Sequence, residues 1–465
     1  MTYFFETYGC QMNTAESAAL DGVLRARGWA AAADGESADL VLINTCSVRA
    51  TAEQRALGRL AHYAALKKKR KDLRPLTLVA AGCMAQRLGE GLKEQFAAID
   101  YIMGTAARSI FPLILEAAEQ GRTGPQIDPF NTEPVFSFSS SHLEAGDAGA
   151  KPVRSFVPIM HGCNNFCSYC IVPYVRGREI SRDPASILEE IRFLAQKGVR
   201  EITLLGQNVN TYQWDEGKSI DFRGESIDFQ GKSTDFPTLL ELVARGVEQT
   251  PIRWVRFLSA NPRDFSPRAI QVMAEHPVFC RHLHLCVQHG SNRILRAMNR
   301  RYTRESYLSL VQEIRAAMPD ISLSTDILIG FPGETEDDLL QTLDLMEEVR
   351  FLYAYMYHYN PREGTAAFTL PDRIGEEVKR ERLARVIALQ KRHTQELLKS
   401  RTGRRETVLI EGISRKNADE LITRTERDEM AVIPGTAAMI GSFAKVTLSA
   451  LRGNTFRARN IELQN

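Results

Sequence analysis

Cys10, Cys46 and Cys83 stand 36 and 37 residues apart, and each closes a short apolar run: FFETYGC, LVLINTC and TLVAAGC. A run of this kind followed by a helical-period segment reads as a strand feeding a helix, and its repetition predicts a parallel α/β sheet. All strands of a parallel sheet end on one edge, so the three sulfurs can converge there. The helix after each cysteine turns the positive end of its dipole toward the sulfur, which favours the thiolate. Three unrelated core thiols are the plain alternative, and equal placement at three strand ends argues against it. The expected strands are 2–8, 39–44 and 76–81, with a fourth at 100–103.

The 465 residues are too many for one hydrophobic core. The expected order is an N-terminal domain 1–118, a linker 119–150, a core 151–385 and a small terminal domain 400–464. Residues 121–152 are rich in Gly, Pro, Ser and Asp, as a linker would be. Beyond them strands are expected near 155–160, 201–205, 253–258, 282–287, 322–329 and 352–358. Six strands with helices between them predict an incomplete parallel barrel. A basic helix over 376–401 comes next, then the short strands TVLIEGI, ELITRT, MAVIPG and FAKVTLSAL of a small β-barrel. The fold class is therefore α/β: an N-terminal parallel domain, a partial (β/α)6 barrel and a C-terminal β-barrel. GKSIDFR, GESIDFQ and GKSTDFP form a seven-residue tandem repeat from Gly217 to Pro237, read as a duplicated surface loop without catalytic role.

Cys163, Cys167 and Cys170 lie in HGCNNFCSYC, just past the first barrel strand. Thiolates are the ligands of iron–sulfur clusters. Three on one loop hold three corners of a 4Fe-4S cube and leave the fourth iron open. Zinc would want a fourth ligand, and the position of His161 fits no zinc-finger spacing. No run of 18 apolar residues suggests a membrane helix, and MTYFFETYGCQMN has no secretory pattern. A cytoplasmic protein is expected. Net charge is +2, but residues 376–465 hold 18 Lys/Arg against 12 Asp/Glu, or +6, leaving −4 for the rest. That basic end fits an RNA contact and equally a solvated surface.

The triplet resembles the signature of the radical S-adenosylmethionine (SAM) superfamily, in which the open iron chelates SAM and its cleavage yields a 5′-deoxyadenosyl radical. Together with the three-cysteine N-terminal domain and a terminal β-barrel like the TRAM module, the chain resembles the methylthiotransferase family over almost its whole length. HGCNNFCSYCIVPYVRGREISR, LLGQNVNTY and LHLCVQHGSNRILRAMNRRYT resemble the bacterial members that 2-methylthiolate N6-dimethylallyladenosine beside the tRNA anticodon. The resemblance implies two 4Fe-4S clusters, on Cys10, Cys46 and Cys83 and on Cys163, Cys167 and Cys170. It also implies one SAM for the radical and a second as methyl donor. Gly206, Gln207, Asn208, Gln288, Ser291, Ser324 and Asp326 are the implied SAM contacts; no catalytic side chain is singled out. The implied partners are the tRNA anticodon loop, an electron donor such as flavodoxin and a sulfur source, with a monomer expected. Two departures stand out: Cys286 where the family usually has Pro, and LSANP at 258–262. Another tRNA adenosine derivative, a ribosomal protein aspartate, a non-catalytic iron–sulfur RNA binder and a zinc protein remain as alternatives.

Other features read as structural first. The loop Gly330–Thr335 (GFPGET) looks like helix initiation, and KKKRK at 67–71 like a helix end more than an RNA patch. Arg176 and Arg178 suit a carboxylate or phosphate, or surface ion pairs. Cys280 and Cys286 read as core or pocket thiols; Phe443 and Phe456 read as stacking residues or core.

Overall fold

The computed structural model describes residues 1–47, 50–70, 75–105, 107–121, 152–215 and 233–464. The chain divides into two compact units. One comprises Met1–Ala148, His161–Asn164 and Cys170–Ile180; the other comprises Gly149–Met160, Asn165–Tyr169 and Ser181–Asn465. Apart from their ends, the expected linker and the tandem repeat lie outside the described residues.

The first unit carries a parallel five-stranded sheet of β1 (Thr2–Tyr8), β2 (Ala30–Ala31), β3 (Leu40–Thr45), β4 (Thr77–Gly82) and β5 (Tyr101–Met103), in the order β2-β1-β3-β4-β5. Strand β3 is central and every one of its residues is buried, as a parallel strand covered on both faces requires. Four strands fall within a residue of their expected limits; the two-residue edge strand β2 carries no sequence pattern to find. Helices α1 (Gln11–Ala26), α2 (Ala50–Lys69), α3 (Cys83–Leu88), α4 (Glu90–Gln95) and α5 (Phe111–Glu119) follow the strands, and α6 (Val172–Arg176) belongs to the same unit. Within KKKRK, Lys67 reaches Asp100 at 2.5 Å and Arg70 donates to the Ala38 carbonyl at 2.5 Å. Both therefore dock α2 on its own sheet.

In the second unit six parallel strands follow one another: β6 (Arg154–Pro158), β7 (Glu201–Leu205), β8 (Trp254–Phe257), β9 (His282–His284), β10 (Ser322–Ile329) and β11 (Tyr353–His358). They form two three-stranded sheets, β8-β7-β6 and β9-β10-β11, joined by the bridges Val255–Phe279 and Ala260–Leu285. This is the open (β/α)6 barrel that was expected. Helices α7 (Pro184–Gln196), α8 (Phe236–Val247), α9 (Pro267–Glu275), α10 (Asn292–Ala297), α11 (Arg304–Ala317) and α12 (Glu336–Val349) lie between and after the strands. The last repeat is not all loop: Thr234–Asp235 pairs with Gln213–Trp214, and Asp235 caps α8 through the Thr238 amide at 3.0 Å.

Strand β9 stops at His284, three residues short of the expected end, because Gln288 turns to φ +66° and meets β10 only through a bridge to Ile327. Helix α13 (Glu376–Lys399) leads to a closed barrel of β12 (Arg405–Ser414), β13 (Asn417–Thr425), β14 (Met430–Pro434), β15 (Phe443–Arg452) and β16 (Thr455–Gln464). The sequence reading missed β16, TFRARNIELQ, whose exposed positions are mostly polar or charged: Arg457, Arg459, Asn460 and Glu462. Phe456 is fully buried and Phe443 packs edge-on against Trp254, centroids 5.0 Å apart, so both belong to the core.

The small barrel docks on the strand-start end of the half-barrel. Arg256 on β8 pairs with Glu201 at 3.0 Å and donates to the Thr425 and Glu426 carbonyls, each at 2.9 Å. Ser322 donates to Arg427 O at 2.8 Å. The opposite end, where the strands finish, is where parallel barrels place their chemistry.

Candidate active site

Strands β1, β3 and β4 run in register, with Tyr8 opposite Thr45 and Thr45 opposite Gly82. Cys10, Cys46 and Cys83 leave these ends side by side on strands spaced by about 4.8 Å. Two buried amides lace the edge. Asn13 Nδ2 donates to Asn44 Oδ1 and Asn44 Nδ2 to Asn13 O, each at 3.0 Å, while Cys10 Sγ donates to Asn13 Oδ1 at 3.3 Å. Gly82 has φ +90°, and a Cβ there would lie 2.4 Å from Asn44 Oδ1 and 2.6 Å from Thr45 O. Only glycine admits this turn. Cys46 and Cys83 are buried and Cys10 half-buried.

Burial pushes the Cys83 thiol up to about 12, with the Arg176 guanidinium opposing and Cys46, Glu16 and Cys10 adding to the rise. A bare thiolate is thus disfavoured, whereas three thiols at adjacent strand ends, electrostatically coupled and beside a buried cation, suit a positively charged, sulfur-seeking group such as an iron cluster. Arg176 belongs neither to the surface nor to a solvated anion site. Its Nη1 and Nη2 reach Glu16 Oε1 and Oε2 at 2.7 and 3.2 Å, both side chains being at most 5% exposed. Arg178 is exposed.

Around the second triplet, Cys163 N donates to Gly177 O at 3.1 Å, and Gly162, at φ +75°, leaves no room for a Cβ, which would lie 2.0 Å from Arg178 O. Residues 165–169 are held by the turn after α10. Ser168 N and Oγ donate to Met298 O (3.0 Å) and Ala297 O (2.7 Å), and Asn299 Nδ2 donates to Phe166 O at 2.9 Å. Buried Arg300 sends Nη1 to Cys167 Sγ at 3.4 Å and Nη2 to Cys286 O at 2.9 Å. Arg300 lies in LRAMNRRYT, yet nothing in a run of arginines marks the buried one.

The barrel candidates separate into groups. Gly206 follows β7, and a Cβ on it would meet Met160 Cγ at 2.6 Å. Gln207 Oε1 and Asn208 Oδ1 are buried acceptors without a donor among the described residues, although Asn208 Nδ2 binds Asp264 at 3.2 Å. SAM brings the missing donors in its ammonium, exocyclic amine and ribose hydroxyls, so this corner fits it. Ser324 and Asp326 share the inner face of β10, with Ser324 Oγ 2.9 Å from His282 Nε2. Gln288 N donates to Asp326 O at 2.9 Å. Ser291 points elsewhere, its Oγ donating to Asp338 Oδ1 at 2.6 Å. The GFPGET loop does start α12: Thr335 Oγ1 accepts from Asp338 N at 3.3 Å, and Gly330 N donates to buried Glu334 at 2.6 Å.

Both sequence departures find partners. Cys286 N donates to Ala260 O at 3.1 Å, a bond the usual proline lacks. In LSANP, Asn261 N donates to Asn210 Oδ1 and Asn210 Nδ2 to Asn261 O, both at 2.8 Å, tying this segment to the NVN motif. His284, Cys286 and Asp326 bring possible ligand atoms within 4.8 Å of one another. Ser259 N donates to His284 Nδ1 at 3.2 Å, Cys286 Sγ lies 3.8 Å from the same nitrogen, and Cys286 is also hydrogen-bonded to Asp326. The trio reads as a hydrogen-bonded group.

The radical SAM superfamily profile matches residues 157–346, the profile described as uncharacterized protein family UPF0004 matches residues 2–104, and the TRAM domain matches residues 399–461. The fold is shared, at TM-score 0.55 and 16% identity over 79% of this chain and 74% of the other, with the radical S-adenosylmethionine methyltransferase TsrM from Kitasatospora setae. The open barrel and its three-cysteine loop thus define a radical SAM enzyme. Among curated relatives, the tRNA-2-methylthio-N(6)-dimethylallyladenosine synthase of Treponema denticola is 49% identical over 98% of this chain and 99% of its own. That of Thermoanaerobacter sp. strain X514 is 40% identical over 99% and 93%. The chain belongs to the tRNA-2-methylthio-N(6)-dimethylallyladenosine synthase family.

Proposed function

We propose that this enzyme methylthiolates carbon 2 of N6-dimethylallyladenosine beside the tRNA anticodon. The observation that carries the reading is the pair of thiol triplets: one after three adjacent strands of a parallel sheet, one in a loop after the first strand of a half-barrel. Bound at these places, two 4Fe-4S clusters and SAM would supply radical chemistry at one and a sulfur with a methyl group at the other. Carbon 2 of adenine resists acid–base catalysis, so a radical route suits it.

The chain's own residues orient and insulate that chemistry. Cys163, Cys167 and Cys170 hold one cluster, and the Arg300 hydrogen bond to Cys167 adds positive charge beside its sulfur. Cys10, Cys46 and Cys83 hold the other, with the Glu16–Arg176 pair behind them. Gly206 keeps side-chain bulk from SAM, and Gln207, Asn208, Gln288, Ser324 and Asp326 offer it acceptors. Ser291 acts on the same site through Asp338 and α12. The TRAM module, in the basic C-terminal segment, contacts the tRNA, whose target base must be unpaired. A flavodoxin-like electron donor, a separate sulfur source, a monomeric cytoplasmic enzyme and division at 1–118, 151–385 and 400–464 complete the proposal. No helix among the described residues is long and apolar enough to cross a membrane.

The test is anaerobic cluster reconstitution with mass spectrometry of tRNA nucleosides. The wild type should form the 2-methylthio product and 5′-deoxyadenosine. Cys163→Ala should lose both, whereas Cys10→Ala should keep 5′-deoxyadenosine and lose the product, each with about half the iron. Unmodified tRNA beside active SAM cleavage would refute the substrate.

A further inference from the structure

We propose that Tyr355 is the platform on which the target purine of the RNA stacks, an inference that rests on the tRNA reading above. Strand β11 reads YAYMYH and ends beside Tyr359, so tyrosines recur at every second position. Alternate residues of a strand share a face, and pairing identifies that face: Ser324 is opposite Tyr353, Asp326 opposite Tyr355 and Leu328 opposite Tyr357. On β10 the other face, Leu323, Thr325, Ile327 and Ile329, is completely buried, as a helix-covered outer wall should be. The tyrosines therefore stand on the inner wall of the half-barrel with Ser324 and Asp326.

Toward the start of this wall His282, His284 and Ser324 are at most 7% exposed, and Asp326 and Leu328 beyond them are partly buried. Tyr355 is 48% exposed and Tyr357 38%. An open aromatic ring amid buried hydrogen-bonding groups supplies the two things a flipped-out base needs, a surface to stack on and polar atoms for its edge. The Tyr355 ring is already oriented. It meets the His284 ring edge to face at 5.6 Å and 87°, which leaves much of its surface open.

An adenine ring could come from SAM or from the RNA, and position favours the RNA. Strand β11 is the last of its sheet, with β10 as its sole strand partner among the described residues, so the half-barrel is open along it. A macromolecule can reach a ring at that margin. Of the acceptors offered to SAM, those of Gln207 and Asn208, without a donor among the described residues, lie across the barrel after β7, while Ser324 and Asp326 share this wall, so SAM affinity has to be read beside RNA binding.

The test is a binding cycle with the reconstituted full-length enzyme. One anticodon stem-loop carries adenosine at the target position, and the other carries an abasic nucleotide there. Loss of one stacked base is expected to weaken binding about 5- to 150-fold. The wild type should show that discrimination, Tyr355→Ala should bind both RNAs alike, and Tyr355→Phe should keep most of it. Iron content and SAM affinity should match the wild type in both variants, which separates lost stacking from misfolding. Discrimination surviving in Tyr355→Ala would overturn the proposal, as would a parallel fall in its SAM affinity, which would assign the ring to the cofactor. Because the cycle reads binding, it decides the role of Tyr355 even if the wild type yields no methylthio product; that result would remove the tRNA reading alone.

Discussion

Replacing Arg176 by Met leaves the Glu16 carboxylate buried without its partner. Both side chains are at most 5% exposed and meet through two hydrogen bonds of 2.7 and 3.2 Å, so water screens the loss poorly. Breaking one side of such a pair costs about 3–5 kcal/mol, whereas replacing both members by apolar groups of like size is often neutral or stabilising. The single variant should therefore be badly destabilised, and the double variant Glu16→Leu, Arg176→Met should recover most of the loss. Native-state hydrogen exchange on peptides from α1 and α6 is the suitable assay, because it reports opening of this unit alone. At 1.4 kcal/mol per decade, the single variant should exchange there about 150- to 4000-fold faster. A single variant within twofold of wild type, or a double variant worse than the single, would refute the view of the pair as mutually dependent charges.

Gly82→Ala forces a side chain into φ +90° and against backbone atoms of β3; iron content should fall by about half while 5′-deoxyadenosine formation persists. Arg300→Met removes the hydrogen bond to Cys167 and should lower iron affinity or SAM cleavage about 10- to 100-fold, with Lys partly restoring it; unchanged cleavage would count against this. Burial lowers His282 to about 4 from 6.5. The fold therefore holds it neutral, and its contribution is present above pH 6.5 and lost as pH falls toward 4, a change of roughly 3 kcal/mol. Urea midpoints from pH 7 to 4 should fall less steeply for His282→Gln than for wild type.

Strand placement was legible wherever burial dictates composition. LVLINT and SLSTDILI are buried on at least one whole face, and their ends were read to within a residue. TFRARNIELQ was illegible because only Phe456 and Ala458 are buried, while Arg457, Arg459, Asn460 and Glu462 face out and bulges in its pairing break the alternation. The end of β9 was lost because a left-handed turn at Gln288 breaks the pairing while the apolar run continues. The six triplet cysteines could be singled out because thiols are scarce and their spacing is regular. Arg176 and Arg300 look like any surface arginine, since only tertiary packing removes them from water. The four alternating tyrosines of YAYMYHY were a visible signal, but the sequence does not say which face of a strand looks inward.

The N-terminal compact unit is not one unbroken stretch of chain. Ile171 and Val175 pack on Cys83, and the guanidinium that answers Glu16 arrives from position 176. A fragment stopped at residue 148 would keep every strand of the sheet yet strand a naked carboxylate in its interior. Exchanging this module between relatives would accordingly succeed only if two separate pieces of sequence were swapped together.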